Sequence, residues 1–108
     1  MALCKIKEIT EEHILFEDGS EITYYHGQDC CEWNYADFEQ LDDIARNTVF
    51  DTENLKFYYV NKAGFSFGND RMFFVPCYSE QNGYYSDDID ILFNGVQVFN
   101  FNCKFVEC

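Results

Sequence analysis

Apolar residues along this chain alternate with polar ones more often than they recur at helical spacing. Runs of β-branched and aromatic residues are cut at short intervals by Asp-Gly, Gly-Asn and Asn-Gly pairs, the punctuation of a mostly antiparallel sheet. The first unit is His13-Ile14-Leu15-Phe16-Glu17, then Asp18-Gly19, then residues 20–26. Read as a hairpin with a two-residue turn, it sets Leu15 opposite Ile22, Phe16 opposite Glu21 and His13 opposite Tyr24, and makes His13 and His26 diagonal neighbours on one face. Residues 3–9 add a third strand.

From Asn34 the period changes. Tyr35, Phe38, Leu41 and Ile44-Ala45 recur at three-to-four spacing without Gly or Pro, which predicts one short helix near residues 35–46. Asn34 is its expected N-cap, and Asp37 lies near the positive end of the dipole. Residues 55–60, 64–68 and 72–78 read as strands. Gln81-Asn82-Gly83-Tyr84 predicts a second two-residue turn, which pairs Phe74 with Ile91, Pro76 with Ile89 and Val75 with Asp90. At Asn94-Gly95 a two-residue loop would oppose Phe99 to Asp90. A three-residue loop over 93–95 sets Phe99 against Ile89 and Phe101 against Asp87, keeps the apolar face continuous and is the preferred reading. The expected fold is mainly β (α+β): a bent antiparallel sheet or partly open barrel of about seven strands with the one short helix, as a single domain over residues 1–108.

Composition narrows the function classes. With 47% hydrophobic residues and 12 Phe in 108 positions the chain is too apolar for charge-driven disorder. Its 20 acids against 7 bases, net −13, argue against direct nucleic-acid binding, which draws its affinity from clustered Lys and Arg. The acids concentrate early: residues 1–54 hold 14 acids and 3 bases, residues 55–108 hold 6 and 4. A protein partner with a basic surface would be steered toward the first half. No apolar run approaches the roughly 18 residues that span a bilayer, and charge interrupts the N-terminus too early for a signal peptide, so no membrane contact and a cytoplasmic location are expected. Six cysteines would make three disulfides in an exported chain. Cys30 and Cys31 are adjacent, however, and Cys4, Cys77 and Cys103 sit in apolar strand-like runs, so all six are expected as thiols.

One polar cluster could carry chemistry: His26, Asp29, Cys30, Cys31 and Glu32, with Asp37 close behind, in a strand-to-helix connection. The run Asp-Gly-Ser, an aromatic strand and His-x-x-Asp-Cys-Cys-Glu resembles a family of small uncharacterised bacterial and phage proteins, best over the first 45 residues. That resemblance implies a bacterial or phage origin and no mechanism. Three chemical readings stand beside a structural one. Zinc could take His26 and Cys30 with Asp29, Glu32 or Cys108, although no Cys-x2-Cys pair supports it. His26 could activate Cys30 or Cys31 for hydrolysis with Asp29 orienting the imidazole, although no oxyanion signature accompanies it. A vicinal Cys30-Cys31 disulfide switch would strain the intervening peptide. The structural reading, a packed corner whose acids satisfy free backbone N–H groups, needs no cofactor and no metal and is preferred. The acidic Asp87-Asp88-x-Asp90 run lacks the glycine and terminal glutamate of a calcium loop and reads as a solvated face. The expected function is therefore non-enzymatic: a small acidic accessory protein that binds another protein. An acidic mimic of nucleic acid acting on a DNA-binding or defence enzyme, and a Cys/His- or zinc-dependent hydrolase, are the alternatives. The aromatic strand over 99–105 would be hazardous as a bare edge and invites pairing with a second copy.

Overall fold

The structure, a computed structural model, describes residues 3–25, 33–59, 64–81, 88–102 and 104–107. In chain order the strands are Leu3–Cys4 (β1), Ile6–Ile9 (β2), His13–Phe16 (β3), Glu21–Tyr25 (β4) and Trp33–Ala36 (β5). A 3-10 turn at Phe38–Gln40 and a four-residue helix at Asp43–Arg46 (α1) follow. Then come Phe50–Asp51 (β6), a 3-10 turn at Thr52–Asn54, Lys56–Tyr59 (β7), Gly64–Gly68 (β8), Met72–Gln81 (β9), Asp88–Phe93 (β10), Val96–Asn102 (β11) and Lys104–Glu107 (β12). The fold is mostly β, with antiparallel sheets not closed into a barrel and one short helix, as the alternation predicts. Several of the described strands are too short for alternation to mark, so the sequence shows only about seven.

The first sheet has the order β11-β10-β4-β3-β2 and the second β12-β9-β8-β7, with β5 added on β9; β1 and β6 form a separate two-stranded ribbon. All these pairings are antiparallel except β12 on β9, which is parallel. Alternation explains the inner faces. Ile14, Phe16, Ile22, Ile89, Ile91 and Phe101 from the first sheet meet Phe65, Phe67, Phe73, Val75 and Cys77 from the second in one buried cluster, with Phe38, Leu41, Ala45 and Phe50 closing it. Rings bridge the sheets edge-on: Phe16 lies 5.6 Å from Phe50 and 6.5 Å from Phe67, and Phe65 lies 6.5 Å from Phe101. Edge-to-face geometry adds quadrupole attraction to the burial of these rings.

Registers differ from the sequence reading in four places. The β3–β4 hairpin closes with three loop residues: the Gly19 N–H donates to the Phe16 carbonyl (3.0 Å), and the Phe16 N–H donates to the Ser20 carbonyl (2.8 Å). Gly19 takes φ +92°, the left-handed residue of a bulged turn. Ile14 therefore opposes Ile22, Leu15 opposes Glu21 and His13 opposes Thr23. One residue of slip exchanges the faces, and this register collects Ile14, Phe16 and Ile22 on the core side.

The loop at Asn94-Gly95 is, conversely, the two-residue type, with both residues at positive φ (+53° and +81°). The apolar face stays continuous through a bulge opposite Ile91 and Leu92, so Phe99 opposes Ile91 and Phe101 opposes Ile89. The expected β9–β10 hairpin does not form, because β10 lies between β4 and β11 while β9 belongs to the other sheet. Lastly, Asn34 is no N-cap. It is fully buried in β5, paired with Ser79 of β9, and the Ser79 hydroxyl donates to its side-chain oxygen. Pairing with β9 overrides the helical spacing up to Ala36, and extended backbone at Leu41 (ψ 139°) keeps the 3-10 turn and α1 apart. The actual cap is Asp42, whose Oδ1 accepts the Ile44 N–H at 3.0 Å.

Candidate binding face

The side chains that β3 and β4 do not send inward form the outside of the first sheet. His13, Leu15, Glu21, Thr23 and Tyr25 share this side by register, and Glu8 of β2 joins them opposite Leu15. His13 lies between two carboxylates, with Nε2 3.0 Å from Glu8 Oε2 and Nδ1 3.9 Å from Glu21 Oε2. Asp90 on β10 is paired with Tyr25 and accepts a hydrogen bond from Asn100 Nδ2 at 2.7 Å. The β4 end of this surface is locked from behind: the Asn94 N–H donates to the Glu21 carbonyl, and the Glu21 N–H donates to Asn94 Oδ1, both at 2.9 Å.

Two concavities flank Tyr24. One, of about 460 Å³, is lined by Glu12, His13, Glu21, Thr23, Tyr24 and Tyr25. The other, of about 220 Å³, is lined by Glu11, Tyr24, Tyr35, Ala36, Asp37 and Glu39. The tight turn between β2 and β3 supplies Glu11 and Glu12, and Thr10 braces it by accepting the His13 N–H at 3.3 Å on its hydroxyl oxygen. Tyr24 itself packs on Phe38 at 5.9 Å, and Tyr35 packs on Tyr78 at 5.7 Å, so the aromatic walls are anchored from below. Among the described residues the lining holds five carboxylates and three tyrosines, and no Lys or Arg. Such a surface attracts cations by charge, and tyrosine faces add attraction for an ammonium or guanidinium.

Of the cluster singled out in the sequence, Asp37 is placed. Its N–H donates to the Pro76 carbonyl at 2.8 Å, and its carboxylate accepts Gln40 Nε2 at 2.6 Å, so it both holds the strand-to-turn corner and lines the smaller concavity. It does not cap the following turn through its side chain. His26, Asp29, Cys30, Cys31 and Glu32 lie outside the described residues, and with them the zinc, nucleophile and packed-corner readings. Among the described residues no group of three or more His, Cys, Asp and Glu is arranged to hold a metal ion. Cys4 and Cys77 are thiols rather than disulfides, Cys77 wholly buried as its apolar strand predicts. Among the described residues no helix is long and apolar enough to cross a membrane.

Sequence reasoning missed the His13 clamp and a second junction at Asp18. The slipped hairpin register hid Glu21 from His13; the demand that Ile14, Phe16 and Ile22 share a face would have revealed it. Asp18 Oδ2 accepts the hydroxyl of buried Thr52 at 2.5 Å, and Oδ1 accepts the Ser20 N–H at 2.9 Å. The Thr52 bond first, then the Ser20 amide, hold this carboxyl below the usual aspartate value, against a smaller upward push from burial. No local signal points to Thr52, because its contact depends on the ribbon β1–β6 folding onto the turn.

These features define a two-sheet β protein with two acidic, tyrosine-bearing hollows, one on the outside of the first sheet and one where Tyr24 meets β5 and the following turn. The chain matches a family described as a domain of unknown function, DUF7448, over residues 2–91, and it belongs to that family. The matched stretch contains every described residue that lines the two concavities. No curated protein and no solved structure matches the chain.

Proposed function

We propose that this is an accessory protein, of bacterial or phage origin, that acts by binding another protein, and that the acidic outside of the first sheet receives a Lys- or Arg-bearing surface of that partner. The observation that supports this reading is the pair of concavities around Tyr24, lined by Glu11, Glu12, Glu21, Asp37 and Glu39 with no basic residue among the described residues of the lining. Bare acidity would give only diffuse attraction. Anchored rings beside the carboxylates offer a planar guanidinium both a charge and a face to stack on. A synthetic peptide alternating Arg and Ala, followed by amide chemical shifts, tests it. Shifts should concentrate on Thr23, Tyr24, Tyr25 and Asp37, and Glu12→Lys with Glu21→Lys should weaken binding at least about tenfold, while a Glu-for-Arg control peptide does nothing. Shifts spread evenly over all exposed acids would sink the proposal.

A further inference from the structure

The larger hollow, on the outside of the first sheet, is lined in part by a titratable base of the chain's own. The His13 side chain is 26% exposed, against 54% for Glu8 and 43% for Glu21, so the imidazole is the inner member of the three. Thr10 pins its backbone on both sides: the Thr10 N–H donates to the His13 carbonyl at 2.9 Å, and the His13 N–H donates to the Thr10 hydroxyl oxygen at 3.3 Å. Asn94 pins the Glu21 backbone in the same way. With both backbones fixed, what can adjust is the reach of the carboxylate arms toward the ring. The two contacts are unequal, 3.0 Å from Nε2 to Glu8 and 3.9 Å from Nδ1 to Glu21. A neutral imidazole has one N–H and one lone pair, so it donates to one carboxylate and turns a lone pair on the other, which is the pattern of a near and a distant partner. A protonated ring donates from both nitrogens.

We infer that His13 is a proton-driven competitor for the acidic face: on protonation it draws Glu21 as well as Glu8 onto its ring and withdraws both from a cationic partner. The inference rests on the reading of this face as a receptor for Lys or Arg side chains and gives that receptor its regulation. Histidine is the side chain whose charge ordinarily changes between about pH 5 and 8, a range in which carboxylates are largely ionised, so one group sets the sign. At the upper end Glu8, Glu12 and Glu21 surround a neutral ring, and an incoming guanidinium meets uncompensated carboxylates. At the lower end the same carboxylates already have a cation. Among the described residues the groups that face the imidazole are Glu8 of β2, Glu12 of the β2–β3 turn, and Glu21 and Tyr25 of β4. Lys7, the base nearest in sequence, lies in the bulge between Ile6 and Glu8. All three facing acids attract an imidazolium, so protonation acts in one direction: affinity for cations falls as pH falls.

Two measurements on the full chain test this, one with a cationic probe and one without. The peptide alternating Arg and Ala should bind about fivefold more weakly at about pH 5.5 than at about pH 7.5 in low salt, the effect of one added charge a few ångströms away. His13→Gln cannot gain that charge and should bind within about twofold at both, whereas His26→Gln should keep the full difference. In the free protein, the side-chain carboxyl carbon resonance of Glu21 should move together with the ring resonances of His13 as pH is lowered, and should lose that movement in His13→Gln. A Glu21 signal indifferent to the His13 ring, a loss of binding equal in the parent and His13→Gln, or a pH effect abolished by His26→Gln instead would overturn the inference. A peptide that binds at neither pH, beside a Glu21 signal that follows His13, would overturn the receptor reading and support the internal contact.

Discussion

On the outside of the first sheet stand Glu8, His13, Glu21, Tyr25 and Asp90; on the outside of the second stand Lys56, Tyr58, Ser66, Met72 and Phe74. The buried residues on the inner sides are alike in character: Ile14, Phe16, Ile22, Ile89, Ile91 and Phe101 on the first sheet, Phe65, Phe67, Phe73, Val75 and Cys77 on the second. Core packing therefore gives no reason for the two exteriors to differ. Solvent alone favours neither a carboxylate concentration that repels itself nor exposed rings. The sheets also use glycine differently. Gly19 serves a turn with open space around it, whereas a Cβ at Gly64 would lie 2.0 Å from the Val75 carbonyl oxygen, because β8 presses directly on β9.

That last contrast sets the largest expected effect. Gly64→Ala should cost more than about 3 kcal/mol or prevent folding, because the obstacle is backbone and φ is +152°. Gly19→Ala should cost only the left-handed penalty of about 1–2 kcal/mol. Equal losses in urea titrations would erase the difference between turn glycine and contact glycine. Next, Phe16→Ala and Phe67→Ala remove facing rings from opposite sheets and should each cost about 3–5 kcal/mol, with the double variant less than additive. Phe74→Ala, on the exposed side of the second sheet, should cost under about 1 kcal/mol; a larger loss would mean that this ring supports the fold.

The Asp18–Thr52 bond should contribute about 1 kcal/mol by thermal or urea unfolding of Thr52→Val. Its pH dependence has a definite sign. A carboxyl held below its ordinary value of 3.8 in the folded protein stabilises fully above that value and loses the contribution as pH falls through the lowered one. Stability of the parent protein should therefore decline more steeply below about pH 4 than that of Asp18→Asn. The smallest effect belongs to the acidic face. His13→Gln removes contacts to Glu8 and Glu21 that are largely solvated, and should change stability by less than about 1 kcal/mol, vanishing in high salt.

The first sheet was more legible in the sequence than the second because all its neighbours but β4 and β10 are joined by local turns. Asp18-Gly19 and Asn94-Gly95 both mark real hairpins, although each loop has the length expected of the other. Loop length and bulge position trade against each other, and only the requirement for one apolar face decides between them. In the second sheet two partners of β9, β5 and β12, come from distant segments, and no turn signal announces a distant partner. The same long-range pairing defeated the helix start, since Asn34 has the chemistry of a cap but is claimed by Ser79. Of the candidate site, acidity in the first half could be read directly, whereas Asp37 stands at the corner after β5 rather than inside a helix. The gathering of Glu11, Glu12 and Glu21 with Tyr24 could not, because it needs the corrected register and the arrival of β5.

The ten residues of β9 also bear on the order in which this molecule assembles. Its first half pairs with β8 across a short connection, while its second half pairs along both edges, with β5 and with β12. The β5 contact joins residues 45 apart in sequence at Asn34 and Ser79, a closure whose entropy must be met before its hydrogen bonds form. The β7–β8–β9 meander can form early from nearby residues, and β5 and β12 have no template until it exists. A lesion in the first half of β9 should thus slow refolding, whereas an equally destabilising lesion in its second half, where the two latecomers β5 and β12 dock, should mainly speed unfolding.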